Sequence, residues 1–108
     1  MLHQAHPLLN QLHPNLGSLT LSSSEGTTAG TTAILVSETI GSGNSLKIKA
    51  YSTEPTLPTY EQDLTSWDNY TEGDDFATTD GYYVVVCEVD TNKKALKGGS
   101  VVADVKAE

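Results

Sequence analysis

Tyr82-Tyr83-Val84-Val85-Val86-Cys87-Glu88-Val89 is followed by Asp90-Thr91-Asn92-Lys93-Lys94 and then by Val101-Val102-Ala103-Asp104-Val105. β-branched and aromatic side chains suit a pleated, buried surface, and the polar, Asn-containing step between the two apolar runs suits a reversal. The segment therefore predicts a strand, a turn and a returning strand, and it decides the class: this is a β-protein.

Working upstream, the same signals recur. Leu46, Ile48 and Ala50 alternate with Lys47, Lys49 and Tyr51, which predicts a strand with aliphatics on one face and lysines on the other. Gly41-Ser42-Gly43-Asn44 reads as the turn before it, and Thr32-Ala33-Ile34-Leu35-Val36-Ser37 as a further strand. Ser18-Leu19-Thr20-Leu21-Ser22 alternates as a half-buried strand does, and Ser23 to Gly30 is a connection. Short strands separated by Gly and Ser turns, with no convincing helix, predict an all-β fold: a small Ig-like β-sandwich or a partly closed barrel of about six to seven strands.

Two segments depart from this pattern. Residues 1–17 are rich in Leu, His, Asn and Pro, and Leu8, Leu9, Leu12 and Leu16 fall at helix-like intervals after Pro7 until Pro14 interrupts them. The expectation is a short extended or one-to-two-turn helical arm, residues 1–17, ahead of a β-domain at 18–108, with the four leucines as its partner-binding anchors. A helix that short is marginal alone, and ordering it costs roughly 1 to 2 kcal/mol per residue, which apolar contact must exceed. The second segment, 53–80, is a long acidic connection that carries eight carboxylates and no basic residue. A turn over Glu61 to Trp67 and a short edge strand at Ala77-Thr78-Thr79 are expected within it.

The chain has 108 residues, enough for one domain with its own core. Its net charge of -8 and pI near 4.6 argue against a nucleic-acid partner, since neutralising phosphates takes clustered cations. All six basic residues are lysines, so the planar forks that grip phosphate or carboxylate are missing. No run approaches the roughly 20 apolar residues of a membrane span, and the first residues lack the basic and apolar regions of a signal peptide, so no membrane association is expected. Cys87, the single cysteine, excludes an intrachain disulfide and reads as a small core residue.

Candidate chemistry is sparse. His3, His6 and His13 lie close together but without the converging third and fourth ligands that a metal site needs. Asp74, Asp75 and Asp80 are hard oxygen donors, yet their spacing matches no calcium loop. There is no nucleophile elbow, P-loop or dinucleotide fingerprint, and no histidine follows residue 13 to serve a nucleophile. Neither an enzyme nor a cofactor is expected. Tyr60, Trp67 and Tyr70 are the candidates for a carbohydrate-stacking patch, or for the roof of a core.

Four stretches carry a resemblance: Gly30-Thr31-Thr32-Ala33-Ile34-Leu35-Val36; Pro58-Thr59-Tyr60-Glu61-Gln62-Asp63-Leu64-Thr65-Ser66-Trp67; the Thr78-Thr79-Asp80-Gly81 step into Tyr82; and Val86 through Gly99. Their order is similar to that in small β-domains on tailed-phage virions, the head-decoration and head-fibre proteins. The resemblance implies a non-enzymatic structural protein, made in the host cytoplasm and placed on the virion capsid surface. It further implies a homo-oligomer, possibly a trimer, bound to the major capsid protein or another virion protein. The alternative is a secreted or surface-displayed β-sandwich module that recognises carbohydrate through Tyr60, Trp67 and Tyr70.

Overall fold

The computed structural model describes residues 15–108. Eight strands form two sheets: β1 (Gly17–Ser18), β2 (Leu21–Glu25), β3 (Thr31–Val36), β4 (Ser45–Tyr51), β5 (Asp68–Tyr70), β6 (Asp75–Ala77), β7 (Tyr83–Val89) and β8 (Ala95–Val102). One sheet has the order β1-β8-β7-β4-β5 and the other β2-β3-β6. They face each other as a sandwich, so of the two expected architectures the barrel is set aside. The strand count exceeds the expected six to seven because β1 and β5, only two and three residues long, carry too little periodicity to be seen in sequence.

The valine run forms β7, which lies between β8 and β4 and is antiparallel to both. Six consecutive residues, Val84 to Val89, are buried. Such a run has no polar face because both of its faces are covered. Val84 and Val86 point between the sheets, into a core with Leu19, Ile34, Val36, Leu46, Ile48, Tyr70 and Ala103. Val85, Cys87 and Val89 point the other way, into a second cluster with Leu64 and Ala95, against which Leu16, Tyr51, Leu57 and Trp67 pack.

That second cluster corrects the expectation for β4. The lysines do occupy the face opposite Leu46 and Ile48, but Lys47 is only 4% exposed. Its ammonium donates to the carbonyl of Trp67 at 3.0 Å. The cover comes from the 53–67 segment, which crosses the sheet as a strap. It is tied to the beginning of β8 by Glu61 N–H to Ala95 O (2.6 Å), Ala95 N–H to Gln62 O (2.9 Å) and Leu64 N–H to Lys93 O (2.9 Å). Among the described residues, Glu61 and Lys93 are the two non-glycine residues with positive φ, 65° and 64°, and both lie at this seam.

The returning strand also begins earlier than its sequence suggests, at Ala95 rather than Val101. Lys97-Gly98-Gly99 thus lies in mid-strand, where glycine is ordinarily unfavourable. Close backbone approach explains the pair. A Cβ at Gly99 would strike the carbonyl of Leu19, and one at Gly98 would come within 2.9 Å of the Cys87 sulfur and 3.0 Å of a Leu16 methyl.

Leu19 is there because the first strand changes sheets. β1 runs parallel to β8, with Gly17 opposite Lys97 and Ser18 opposite Gly98. The Leu19 amide then donates to Gly98 O at 3.0 Å, after which the chain continues as β2 along the other sheet, antiparallel to β3. At the far end the tail makes a matching crossing. Asp104 N–H donates to Ser23 Oγ (2.9 Å), Gly30 N–H to Lys106 O (3.0 Å), and Lys106 N–H to Thr31 O (2.9 Å). The chain thus comes in at an amino pole, near the 90–94 turn, and leaves at a carboxy pole, near the 26–30 hairpin.

The hairpins are closed by carboxylates and glycines. Asp90 accepts from the amides of Asn92 (2.8 Å) and Lys94 (3.0 Å), an Asx-type turn. In the 41–44 turn, Gly43 has φ 81°. The expected edge strand near 77–79 is β6, shifted to Asp75–Ala77 and bordering the three-stranded sheet.

Candidate functional site

The aromatic candidates do not form one patch. Tyr70 lies between the sheets, 9% exposed. Its hydroxyl donates to Asp74 O at 2.6 Å and accepts the Ile34 amide at 2.9 Å, so it ties the 71–74 turn to β3. Its ring meets Phe76 edge-on at 6.4 Å. Burial is the largest influence on the phenol and raises its pKa. Tyr60 and Trp67 are half-buried residues of the strap, and Trp67 packs on the other side of the five-stranded sheet.

What Trp67 does meet is Lys49, whose ammonium lies 5.9 Å from its ring centroid and 5.5 Å from that of Tyr51. Lys49 is exposed. The result is an aromatic and cationic cluster of Tyr51, Lys49 and Trp67 on the strap side, stabilised by the attraction of a cation to aromatic faces. The alternation of β4 carried the signal for two of these three residues; nothing local in sequence brought Trp67 to them.

The acidic residues work as local clamps. Asp75 accepts from Thr27 N–H (2.8 Å) and Thr27 Oγ (2.5 Å), and hydrogen bonds from Thr27 hold its carboxyl below the ordinary range. Asp80 accepts the Val105 amide at 3.0 Å, and Asp74 uses its backbone carbonyl for Tyr70. Thus Asp74, Asp75 and Asp80 serve three different segments. Among the described residues no group of three or more His, Cys, Asp or Glu is arranged to hold a metal ion.

Glu88 is the buried carboxylate, 2% exposed. Its Oε2 accepts from Gly41 N–H (2.8 Å) and Asn44 Nδ2 (2.7 Å), fixing the 41–44 turn, while Oε1 has no partner. Cys87 is fully buried, and burial pushes its thiol up to about 12, the setting of an inert packing residue.

At the carboxy pole a groove of about 580 Å³ opens between the tail and the 78–80 segment, with Glu25, Asp80, Asp104 and Glu108 on its walls beside Lys106. Leu16, the one arm candidate among the described residues, packs on the strap-side cluster. Leu8, Leu9, Leu12 and the three histidines lie outside the described residues.

The comparisons with known proteins agree on a single protein. The family model of the S-layer protein SbsC C-terminal domain matches residues 24–102, from within β2 to the end of β8. The chain belongs to this S-layer family. The solved structure of domains 7, 8 and 9 of the S-layer protein SbsC superposes with a TM-score of 0.62 at 19% identity, covering 82% of this chain and 31% of that one. A second structure, of SbsC domains 4–9, gives 0.64 at 20% identity and covers 83% and 14%. At these identities the likeness establishes the fold alone, and the chain spans less than a third of either relative. No curated protein sequence matches the chain.

The family overturns the phage reading. The stretches that resemble head-decoration and head-fibre proteins all fall inside the S-layer match, and the Val86–Gly99 stretch belongs to the β7–β8 hairpin. Hairpins rich in Thr, Val and Gly look alike wherever they occur, which is why the resemblance misled. With it go the virion capsid surface as location, the major capsid protein or another virion protein as partner, and the capsid-bound trimer. The chain is a β-domain of a surface-layer protein family.

Proposed function

We propose that this domain is a non-catalytic building block of a surface layer, which contributes its sandwich to an array of like domains and contacts neighbouring copies. The observation that carries the reading is the family match across the end of β2 and the six strands that follow it. The two-sided burial of the five-stranded sheet supports it, since a module that serves by its shape needs a stiff body. The acidic exterior supports it too, because like charge keeps such modules apart until specific contacts form.

The test is fractionation of cells that produce the protein, followed by extraction of the surface layer with guanidinium chloride and dialysis. The protein should leave the cells with the layer proteins and return to sheets visible by electron microscopy. Recovery in the soluble intracellular fraction would overturn the reading.

Residues 1–17 remain the proposed arm of this building block, with Leu8, Leu9 and Leu12 as contacts to a neighbouring domain and Leu16 anchoring the arm's end on the strap-side cluster. A surface-displayed carbohydrate-binding role is a second reading, favoured by the Tyr51, Lys49 and Trp67 cluster. Trp67 is the sole tryptophan, so its fluorescence reports directly on a cell-wall glycan titrated against the protein. A saturable change that Tyr51→Ala removes would establish this role, and an unchanged spectrum would dismiss it.

A further inference from the structure

The Lys97-Gly98-Gly99 stretch within β8 and the parallel pairing of β1 point to a mechanical role. Gly17–Ser18 runs alongside Lys97–Gly98 in the same direction, and the Leu19 amide extends the contact to Gly98 O. The chain comes in below β1, at the amino pole, whereas β8 leads to the tail at the carboxy pole. Tension between the two ends therefore pulls β1 and β8 in opposite directions along their common axis.

In that geometry the hydrogen bonds lie across the load. They must fail together rather than one after another, as they would if the strands were peeled apart from one end. β2 is loaded the same way. It is pulled from Leu21 at its amino-pole end, while its hairpin with β3 is held at the carboxy pole by Gly30 N–H to Lys106 O and Lys106 N–H to Thr31 O.

We propose that the domain is a load-bearing link, in which Gly17–Leu19 and Lys97–Gly99 form a clamp that is loaded in shear when the chain is pulled by its ends. The glycine pair is what lets the clamp close. A side chain at Gly99 would meet the Leu19 carbonyl, and one at Gly98 would crowd the Leu16 methyl and the Cys87 sulfur. Leu19, 6% exposed, locks the crossing strand into the core between the sheets. The clamp rests on this hydrogen-bond topology and stands whether or not the domain belongs to a layer.

The test is single-molecule force spectroscopy on the folded chain in two pulling directions. Handles at Asn15→Cys and Glu108→Cys load the clamp along its axis. Handles at Asn15→Cys and Asn92→Cys, both at the amino pole, pull it open from one end. Buried Cys87 does not compete for attachment. The end-to-end direction should need roughly twofold or more higher force at the same loading rate, because forced unfolding follows the barrier along the pulled direction. Equal forces, or a weaker end-to-end direction, would overturn the clamp. Gly99→Ala should lower the end-to-end force and leave the amino-pole force unchanged. If that variant does not fold, the comparison of directions still decides.

Discussion

At the scale of single residues, the least replaceable positions are those where backbone meets backbone. Gly99→Ala sets a methyl against the Leu19 carbonyl, an overpacking in a rigid place. A loss of about 1 to 3 kcal/mol is expected, read as a lowered urea midpoint. Gly43→Ala forces an alanine to φ 81° in an open turn and should cost about 1 kcal/mol. Cys87 makes a different prediction. Its thiol has an ordinary pKa of 9.0 and a folded value of about 12. A folded value above the unfolded one means that its contribution to stability is whole below pH 9 and is lost as pH rises toward 12. The thiol should also ignore a disulfide reagent at pH 8 until the protein unfolds, and rapid reaction in the native state would contradict its burial.

At the scale of elements, the strap is the piece on which the second core depends. Leu64 is fully buried beneath it, and Leu64→Ala should destabilise by about 2 to 5 kcal/mol. With the strap loosened, Trp67 fluorescence should shift toward the red before the global transition, since the ring would lose its contact with the sheet. The hairpins and crossings are guarded by carboxylates: Asp75 at Thr27, Glu38 at Thr20 and Asp63 at Thr65 are all held below their ordinary values by hydrogen bonds. Folded values below unfolded ones give stability that is present above about pH 4 and is lost as pH falls further. The melting temperature should therefore drop through that acid range, and Asp75→Asn should flatten part of the drop. How far elements were legible in the sequence follows from their length. β3, β4 and β7 carry six or seven residues of pattern and are directly legible. β8 looks short in sequence because Gly98-Gly99 suppresses strand character, and the reason for those glycines lies far upstream at Leu19. The strap looks like a plain connection in sequence, since a segment that covers a sheet without joining it has no period of its own. The separation of the aromatic candidates is hidden for the same reason: Trp67 and Tyr70 are three positions apart, but a sheet runs between them.

At the scale of the whole molecule, the two sheets are joined at both ends of the chain. If residues 1–14 are the proposed docking arm, deleting them should leave circular dichroism and the melting temperature close to those of the full chain, and a large loss of either would contradict that role. Deleting through Leu19 should instead unfold it, since the crossing strand and a core residue go together. The pairing of Gly17 with Lys97 also has a bearing on how the protein is made. β1, at the edge of its sheet, has no strand to pair with until Lys97 and Gly98 have been made, and contacts so distant along the chain form slowly. The larger sheet therefore gains its last edge only once β8 has been made, so the sandwich closes late in its own synthesis, whatever part of it has formed before.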